Sequence, residues 1–283
     1  MRQFSTSHPE READRFVAGL YHKSKRNFWN PQDLDFSQDR RDWEGLTDQE
    51  QDTLRHLSAL FAGGEEAVAL DLAPFLLHVA RAGRYEDSLY VATWTFEEAK
   101  HAEFFDRHNL EVMTSGNPSP DLSHYHGECY RRIFHDALPS AMNALIADGS
   151  AQAELVALTT YNMIVEGILA ETGYKAYREA LERRDLMPGL RQGITHVQTD
   201  EARHIAYGLH TLRGLLARHP ELRGVFDERM NDLIPDAMGV VQEIFGAHHP
   251  MPFGLQLETF VDYALRQLEH RVGALNRETE IGG

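Results

Sequence analysis

The chain has 283 residues, enough to bury a sizeable core in one large domain or two small ones. Its 28 Lys and Arg against 44 Asp and Glu give a net charge of −16, which argues against nucleic acid as a partner and against broad attraction to anionic membranes. The single Cys129 excludes an internal disulfide framework and any cysteine-based zinc or iron–sulfur site; with no apolar signal core and no run of about 18 apolar residues, the expectation is a cytoplasmic protein without a membrane span.

Residues 10–27 read as a short helix with Phe16, Val17, Leu20 and Tyr21 on one side. Asn30-Pro31 opens an irregular polar stretch through Trp43. Thr47, with Glu50 three residues on, carries a capping-box signature, and a helical pattern runs from there to about Ala82. Its apolar stripe is Leu54, Leu57, Phe61, Val68 and Leu72. Glu65 falls on that stripe and Glu66 falls off it, so Glu65 is expected to be the buried one. Gly63 and Gly64 beside it predict a close approach or a bulge, and Pro74 predicts a kink. Arg84 to about Ser115 reads as a second long helix, ended by Gly116-Asn117-Pro118. Helical patterns follow over 121–147, interrupted at Pro139, and over 150–184. Pro188 suits the start of a helix reaching about Arg218, and 221–246 and 256–275 give two more. Strand-like alternation is scarce and no linker rich in Gly, Ser or Pro appears. The expected fold is all-α, a ferritin-like four-helix bundle with additional helices, as one domain over 1–283.

Two short motifs organise this pattern: Glu98-Ala-Lys-His101 and Glu201-Ala-Arg-His204. On a helix, positions i and i+3 share a face with Cβ atoms about 5–6 Å apart, so each pair reaches one metal ion. Each motif is preceded by a helix with a Glu inside an apolar stripe, Glu65 and Glu166. Glu65 to Glu98 spans 33 residues (98 − 65) and Glu166 to Glu201 spans 35 (201 − 166), an echo of one helix pair by another. Di-iron and di-manganese carboxylate bundles use this ligand order. Four carboxylates and two imidazoles suit manganese and iron better than zinc. Unpaired in an apolar core, four Glu would be very costly or would protonate; two metal ions offset that charge. Six protein ligands leave positions open for oxygen, water or a small carboxylate. Glu97 and Asp200 precede the motif glutamates in equivalent places, and are expected to act across the bundle, Asp200 on His101 and Glu97 on His204. Glu66, Lys100 and Arg203 read as surface residues, and His56, His78, His196 and His210 as structural or exposed.

The motifs Phe96-Glu-Glu-Ala-Lys-His-Ala-Glu-Phe-Phe105 and Asp200-Glu-Ala-Arg-His-Ile-Ala-Tyr-Gly208 resemble those of the ligand-binding oxidases related to the ribonucleotide reductase small subunit. The resemblance runs from about Phe28-Trp-Asn-Pro to past His204. It implies a mixed manganese–iron site formed with molecular oxygen, with an iron–iron form as the variant. Carried over, Glu65, Glu98 and His101 would serve manganese, Glu166, Glu201 and His204 iron, with Glu98 and Glu201 bridging. It further implies an ether cross-link between Tyr161 and the β-carbon of Val68, a long-chain fatty acid bridging the metals, two-electron oxidation of a C–H bond, and a homodimer. The rival reading is the radical-generating small subunit of a manganese–iron ribonucleotide reductase. In that family a radical tyrosine follows the first ligand His by four residues; here the position is Phe105, as in its manganese–iron subclass. The tail Arg271–Gly283 has no aromatic residue, where reductase subunits carry a redox-active Tyr, and this favours the oxidase. A metal- or lipid-binding sensor without turnover and a hydrocarbon or acyl-carrier hydroxylase are further alternatives.

Overall fold

The computed structural model describes residues 15–114 and 121–276, so the Gly116-Asn117-Pro118 break, the start of the first expected helix and the tail beyond Asn276 lie outside it. Among the described residues there is no strand. The chain forms α1 (Arg15–Arg26), α2 (Ser37–Glu44), α3 (Asp48–Arg81) and α4 (Tyr85–His108, continued by a π turn over Asn109–Met113). Then follow α5 (Glu128–Arg131, a π segment Arg132–Ala137, then Leu138–Ala147) and α6 (Ala151–Glu182). Helices α7 (Pro188–Arg218), α8 (Arg223–Phe245) and α9 (Leu257–Asn276) complete it. This is the ferritin-like arrangement expected: α3, α4, α6 and α7 form the bundle, and α8 and α9 pack along the middle of α6.

Local chemistry sets the helix ends. Thr47 and Glu50 form the expected reciprocal cap, with the Thr47 amide 2.9 Å from Glu50 Oε2. Ser150 Oγ accepts from the Ala153 amide at 3.2 Å to start α6. The start of α7 is capped from elsewhere: buried Asp39 on α2 accepts from the Gly189 and Leu190 amides at 2.9 and 2.7 Å. The stretch expected to be irregular through Trp43 therefore contains a helix, α2. Its sequence, Ser-Gln-Asp-Arg-Arg-Asp-Trp-Glu, has no apolar stripe, and it is held by Trp43 burial and by the Asp39 cap. Close approach, not a bulge, explains Gly63: a Cβ there would lie 2.8 Å from His126 Cε1 and 2.9 Å from Tyr130 Oη. Those side chains bond the Ala59 and Leu60 carbonyls of α3 at 3.1 and 3.0 Å. Pro74 is carried inside α3, which remains one helix from Asp48 to Arg81.

Helix α6 is long and apolar enough to cross a membrane by length and composition, but 78% of its apolar window is buried inside the protein, as the core helix of the bundle. Its centre, Thr159–Ala170, is a π-helix and is buried almost throughout. The core falls into two apolar clusters. One gathers Leu72, Phe75, Trp94, Ile164 and Tyr207; the other gathers Trp29, Phe36, Leu54, Phe104 and Tyr177.

Candidate metal centre

The six residues singled out by spacing meet in the bundle interior, and none is more than 5% exposed. Glu65 comes from α3, Glu98 and His101 from α4, Glu166 from α6, and Glu201 and His204 from α7. Two overlapping groups result: Glu65, Glu98, His101 and Glu201, and Glu98, Glu166, Glu201 and His204, each with donor atoms within 4.8 Å of one another. Glu98 and Glu201 belong to both. His101 Nδ1 lies 3.5 Å from Glu65, 3.1 Å from Glu98 and 3.4 Å from Glu201. His204 Nδ1 lies 3.2 Å from Glu98, 3.5 Å from Glu166 and 3.4 Å from Glu201. Both imidazoles thus turn Nδ1 inward and Nε2 outward.

The outward nitrogens meet acids from the opposite motif: Asp200 lies 3.2 Å from His101 Nε2, and Glu97 lies 2.9 Å from His204 Nε2. Asp200 also accepts from Trp29 Nε1 at 2.8 Å and from Lys100 Nζ at 3.1 Å. Arg203 joins the two acids, donating to Glu97 at 2.6 Å and also to Asp200. Lys100 and Arg203 are therefore not surface residues, as their charge and helical position suggest; they are 4% and 5% exposed. Two acids outside the histidines require neutralising cations, and the middle positions of the Glu-x-x-His motifs supply them. Replacing Arg203 by Met leaves Asp200 with Lys100, Trp29 and His101 and Glu97 with His204, and removes two charge-assisted hydrogen bonds worth about 1.5–3 kcal/mol each. Calorimetry is expected to record a fall in Tm of about 10 °C, at about 2–4 °C per kcal/mol for a chain of this size. An unchanged Tm would assign the network no structural weight.

Other contacts complete the site, two of them between residues four apart on one helix. Trp94 Nε1 donates to Glu98 at 2.8 Å and its ring stacks 4.9 Å from His204. Asn162 Nδ2 donates to Glu166 at 2.7 Å. Gly208 leaves room for it: a Cβ there would lie 2.4 Å from Asn162 Cβ. Tyr161 Oη donates to Glu98 at 2.9 Å. Tyr161 and Glu166 are five residues apart, which an α-helix would place on diverging faces. The π-helix, with i→i+5 bonding, stacks them on one face. Phe105 is fully buried and stacked 5.1 Å from Phe61.

The electrostatics are those of a site built around positive charge. Burial raises Glu65 to about 8 despite His101 beside it. Burial and the Glu201 charge raise Glu166 well above the usual carboxylate range. Burial opposes charge on Glu98 as well, but His204 and His101 outweigh it and hold Glu98 low. Burial disfavours charge on both histidines, yet the surrounding carboxylates keep them well above ordinary imidazole. Glu166 Oε1, Glu201 Oε2 and His204 Nδ1 make no hydrogen bond although they converge within 3.5 Å. Converging donor atoms of this kind are what a metal ion satisfies once their protons are displaced, so the donor set fits a dinuclear site.

Metal must displace the protons that Glu65, Glu166 and the histidines hold. In the metal-free protein the folded state binds more protons than the unfolded chain between about pH 4.5 and 8, so its stability falls as pH rises through that window. Thermal melts are expected to show Tm of the metal-free protein declining from pH 5 to pH 8, and the metal-loaded protein free of that decline. Parallel curves for the two forms would contradict it.

The four glutamates also line one cavity, walled otherwise mainly by apolar side chains, with Thr172 and the tyrosines Tyr130 and Tyr161 among them. Val68 and Tyr161 stand beside the glutamates; Leu57, Ala176, Phe245, Leu255 and Phe260 line it further away.

A helical bundle with two overlapping carboxylate–histidine groups in its core defines the ferritin-like class of protein. Within it, the ribonucleotide reductase small chain model matches residues 12–265, and the chain belongs to that family. Among solved structures it is similar to variants of R2-like ligand-binding oxidase. One with an anaerobically reconstituted Mn/Fe cofactor is 38% identical, with a TM-score of 0.91 over 98% of this chain and 100% of that one. A tyrosine variant with an aerobically reconstituted Mn/Fe cofactor is 37% identical, with a TM-score of 0.92 over 98% and 99%. A glycine variant with an Fe/Fe cofactor is likewise 37% identical, with a TM-score of 0.92 over 98% and 99%.

Proposed function

We propose that this protein is a ligand-binding oxidase whose single domain, residues 1–283, holds one manganese and one iron and uses oxygen for two-electron oxidation of C–H bonds. Glu65, Glu98 and His101 would hold manganese and Glu166, Glu201 and His204 would hold iron, with Glu98 and Glu201 common to both donor groups. Asp200 and Glu97 fix the two imidazoles through Nε2, leaving Nδ1 for metal. The observation that carries the reading is the placement of Val68 and Tyr161 in the apolar cavity with the four glutamates, the Tyr161 hydroxyl on Glu98.

When bound, the metal pair supplies the activation of molecular oxygen. The rest falls to the chain. Glu98 receives the Tyr161 phenolic hydrogen bond and orients its oxygen; Val68, one turn from Glu65, offers its β C–H. Tyr161 and Val68 each lose one hydrogen, an Oη–Cβ ether forms, and the two hydrogens with their electrons pass to oxygen. The apolar wall excludes water from that step. The same cavity suits a long-chain fatty acid with its carboxylate toward the metals and its tail among apolar side chains. Organic extraction of the purified, metal-loaded protein is expected to return a long-chain fatty acid at close to one per chain, and an extract with no carboxylic acid would contradict the ligand reading. The oxidase is proposed to act as a homodimer, for which light scattering at twice the chain mass is the test.

A second reading, the radical-generating reductase subunit, draws support from the hydrogen-bonded chain His101–Asp200–Trp29, which runs from the site toward the outside of the bundle. It expects nucleotide reduction with a partner subunit and no Tyr161–Val68 ether.

A further inference from the structure

The apolar cavity bridges the two core clusters. Its metal end belongs to the cluster of Val68, Tyr161 and Val240, and its far end to the cluster of Leu57, Phe245, Leu255 and Phe260. The far end is closed: Leu57, Leu255 and Phe260 are 1%, 3% and 0% exposed. Phe245 and Phe260 seal it, with ring centroids 5.1 Å apart. Other wall residues, such as Phe61, Leu169 and Ile244, are half-buried.

Two of these wall residues sit on helices α8 and α9. Leu255 does not. It is carried by residues 246–256, the strap between those helices, whose only helical piece is the short turn Pro252–Gly254. The backbone there is bent to aim Leu255 inward. Phe253 has φ 59° and ψ 7°, left-handed for a residue with a bulky side chain, and Gly254 follows at φ 68°. Such conformations persist only where surrounding contacts hold them. Met251, Phe253 and Leu255 pack against the second apolar cluster, and two side-chain contacts tie the strap to other elements. His248 Nε2 lies 2.8 Å from Asp52 Oδ2 near the start of α3, and Asp52 also accepts from Tyr125. The Arg184 guanidinium lies 5.7 Å from the Phe253 ring centroid.

Given the acyl-ligand reading above, on which this rests, we propose that Leu255 is the specificity-determining end wall for tail length, and that longer tails enter only when the strap lifts. The depth follows from α3. Glu65 and Leu57 both face the cavity eight residues apart, which is about 12 Å along the helix axis. An extended carbon chain advances about 1.2 Å per bond, by the same tetrahedral geometry that limits an extended backbone, so about ten bonds span that depth. The structure therefore favours acids of about 10–14 carbons with the strap closed.

The test uses metal-loaded, delipidated full-length protein and saturated fatty acids from C8 to C18, with affinities from calorimetry. The wild-type protein is expected to bind best at about C14, the long-chain end of that range, and at least ten-fold more weakly at C18. Leu255→Ala is expected to move the optimum longer by about two carbons, the length of side chain removed. Leu255→Phe is expected to move it shorter. Asp52→Asn, at a partly exposed position outside the core, loosens the strap and is expected to speed C18 association several-fold while leaving C10 affinity unchanged. Identical length profiles in the wild-type protein and both Leu255 variants would overturn the end-wall assignment alone. Unchanged C18 kinetics in Asp52→Asn would overturn the strap as the entry device. No binding of any acid to the wild-type protein would overturn the acyl-ligand reading, and this inference with it.

Discussion

A Glu98→Ala protein is expected to lose both metal ions rather than one. Glu98 is common to both donor groups, with one oxygen 3.1 Å from His101 and the other 3.2 Å from His204. It also anchors the Trp94 indole and the Tyr161 hydroxyl. Loss of a residue that merely orients a ligand costs about 10–100-fold in metal affinity, and loss of a ligand shared by two ions costs more at each. Elemental analysis after loading and gel filtration should give close to two ions per chain for the wild type and close to none for Glu98→Ala. Glu65→Ala is the contrast. It removes a donor from one group only and leaves Glu98, Glu166, Glu201 and His204 complete, so close to one ion should remain. A Glu98→Ala protein that keeps one ion, or a Glu65→Ala protein that keeps two, would contradict the assignment of shared and unshared ligands. Glu98→Gln serves as a folding control, because its amide oxygen still accepts from Trp94 and Tyr161.

The second large effect is chemical. Tyr161→Phe keeps the ring, packed 5.0 Å from Trp94, and removes only the hydroxyl that donates to Glu98. The stability loss should be about 1–3 kcal/mol, since a buried acceptor loses one donor while retaining Trp94. Metal content should be unchanged. Cross-linking to Val68 should fall from most chains to none, because no phenolic oxygen remains to form the ether. Val68→Ala should give the same result from the other side: it replaces the tertiary β C–H by the stronger C–H bonds of a methyl and leaves the metal donors in place. Loss of metal in both variants would mean that these residues pack the site and do not react there.

Much of this site is visible in sequence because helical periodicity is rigid. A Glu and a His three apart on one helix must share a face, and a Glu inside an apolar stripe must be buried or repel the stripe. Two such pairs and two such glutamates leave few arrangements besides a four-helix bundle with a charged centre. Most of the remainder depends on tertiary contacts that no spacing records. Lys100 and Arg203 look like solvated helix residues until Asp200 and Glu97 are placed opposite them. Trp29 reaches Asp200 from 171 residues away; Trp94 and Asn162, four residues before Glu98 and Glu166, have the helical spacing but the look of ordinary core and helix residues. Helix α2 has no stripe because its task is to hold Trp43 and to cap α7 through Asp39. The π-helix in α6 is the least legible element. Its apolar sequence reads as a buried α-helix, yet only the wider turn sets Tyr161 above Glu166.

The most direct test of the oxidase account is peptide mass analysis of metal-free protein loaded with manganese and iron(II) and then exposed to air. Trypsin should release residues 56–81, which contain Val68, and residues 133–175, which contain Tyr161. The account predicts a single joined species lighter than the sum of the two peptides by two hydrogen atoms, absent when air is withheld. Recovery of the two peptides separately from fully metallated, air-exposed protein would contradict it and move the reductase-like reading ahead.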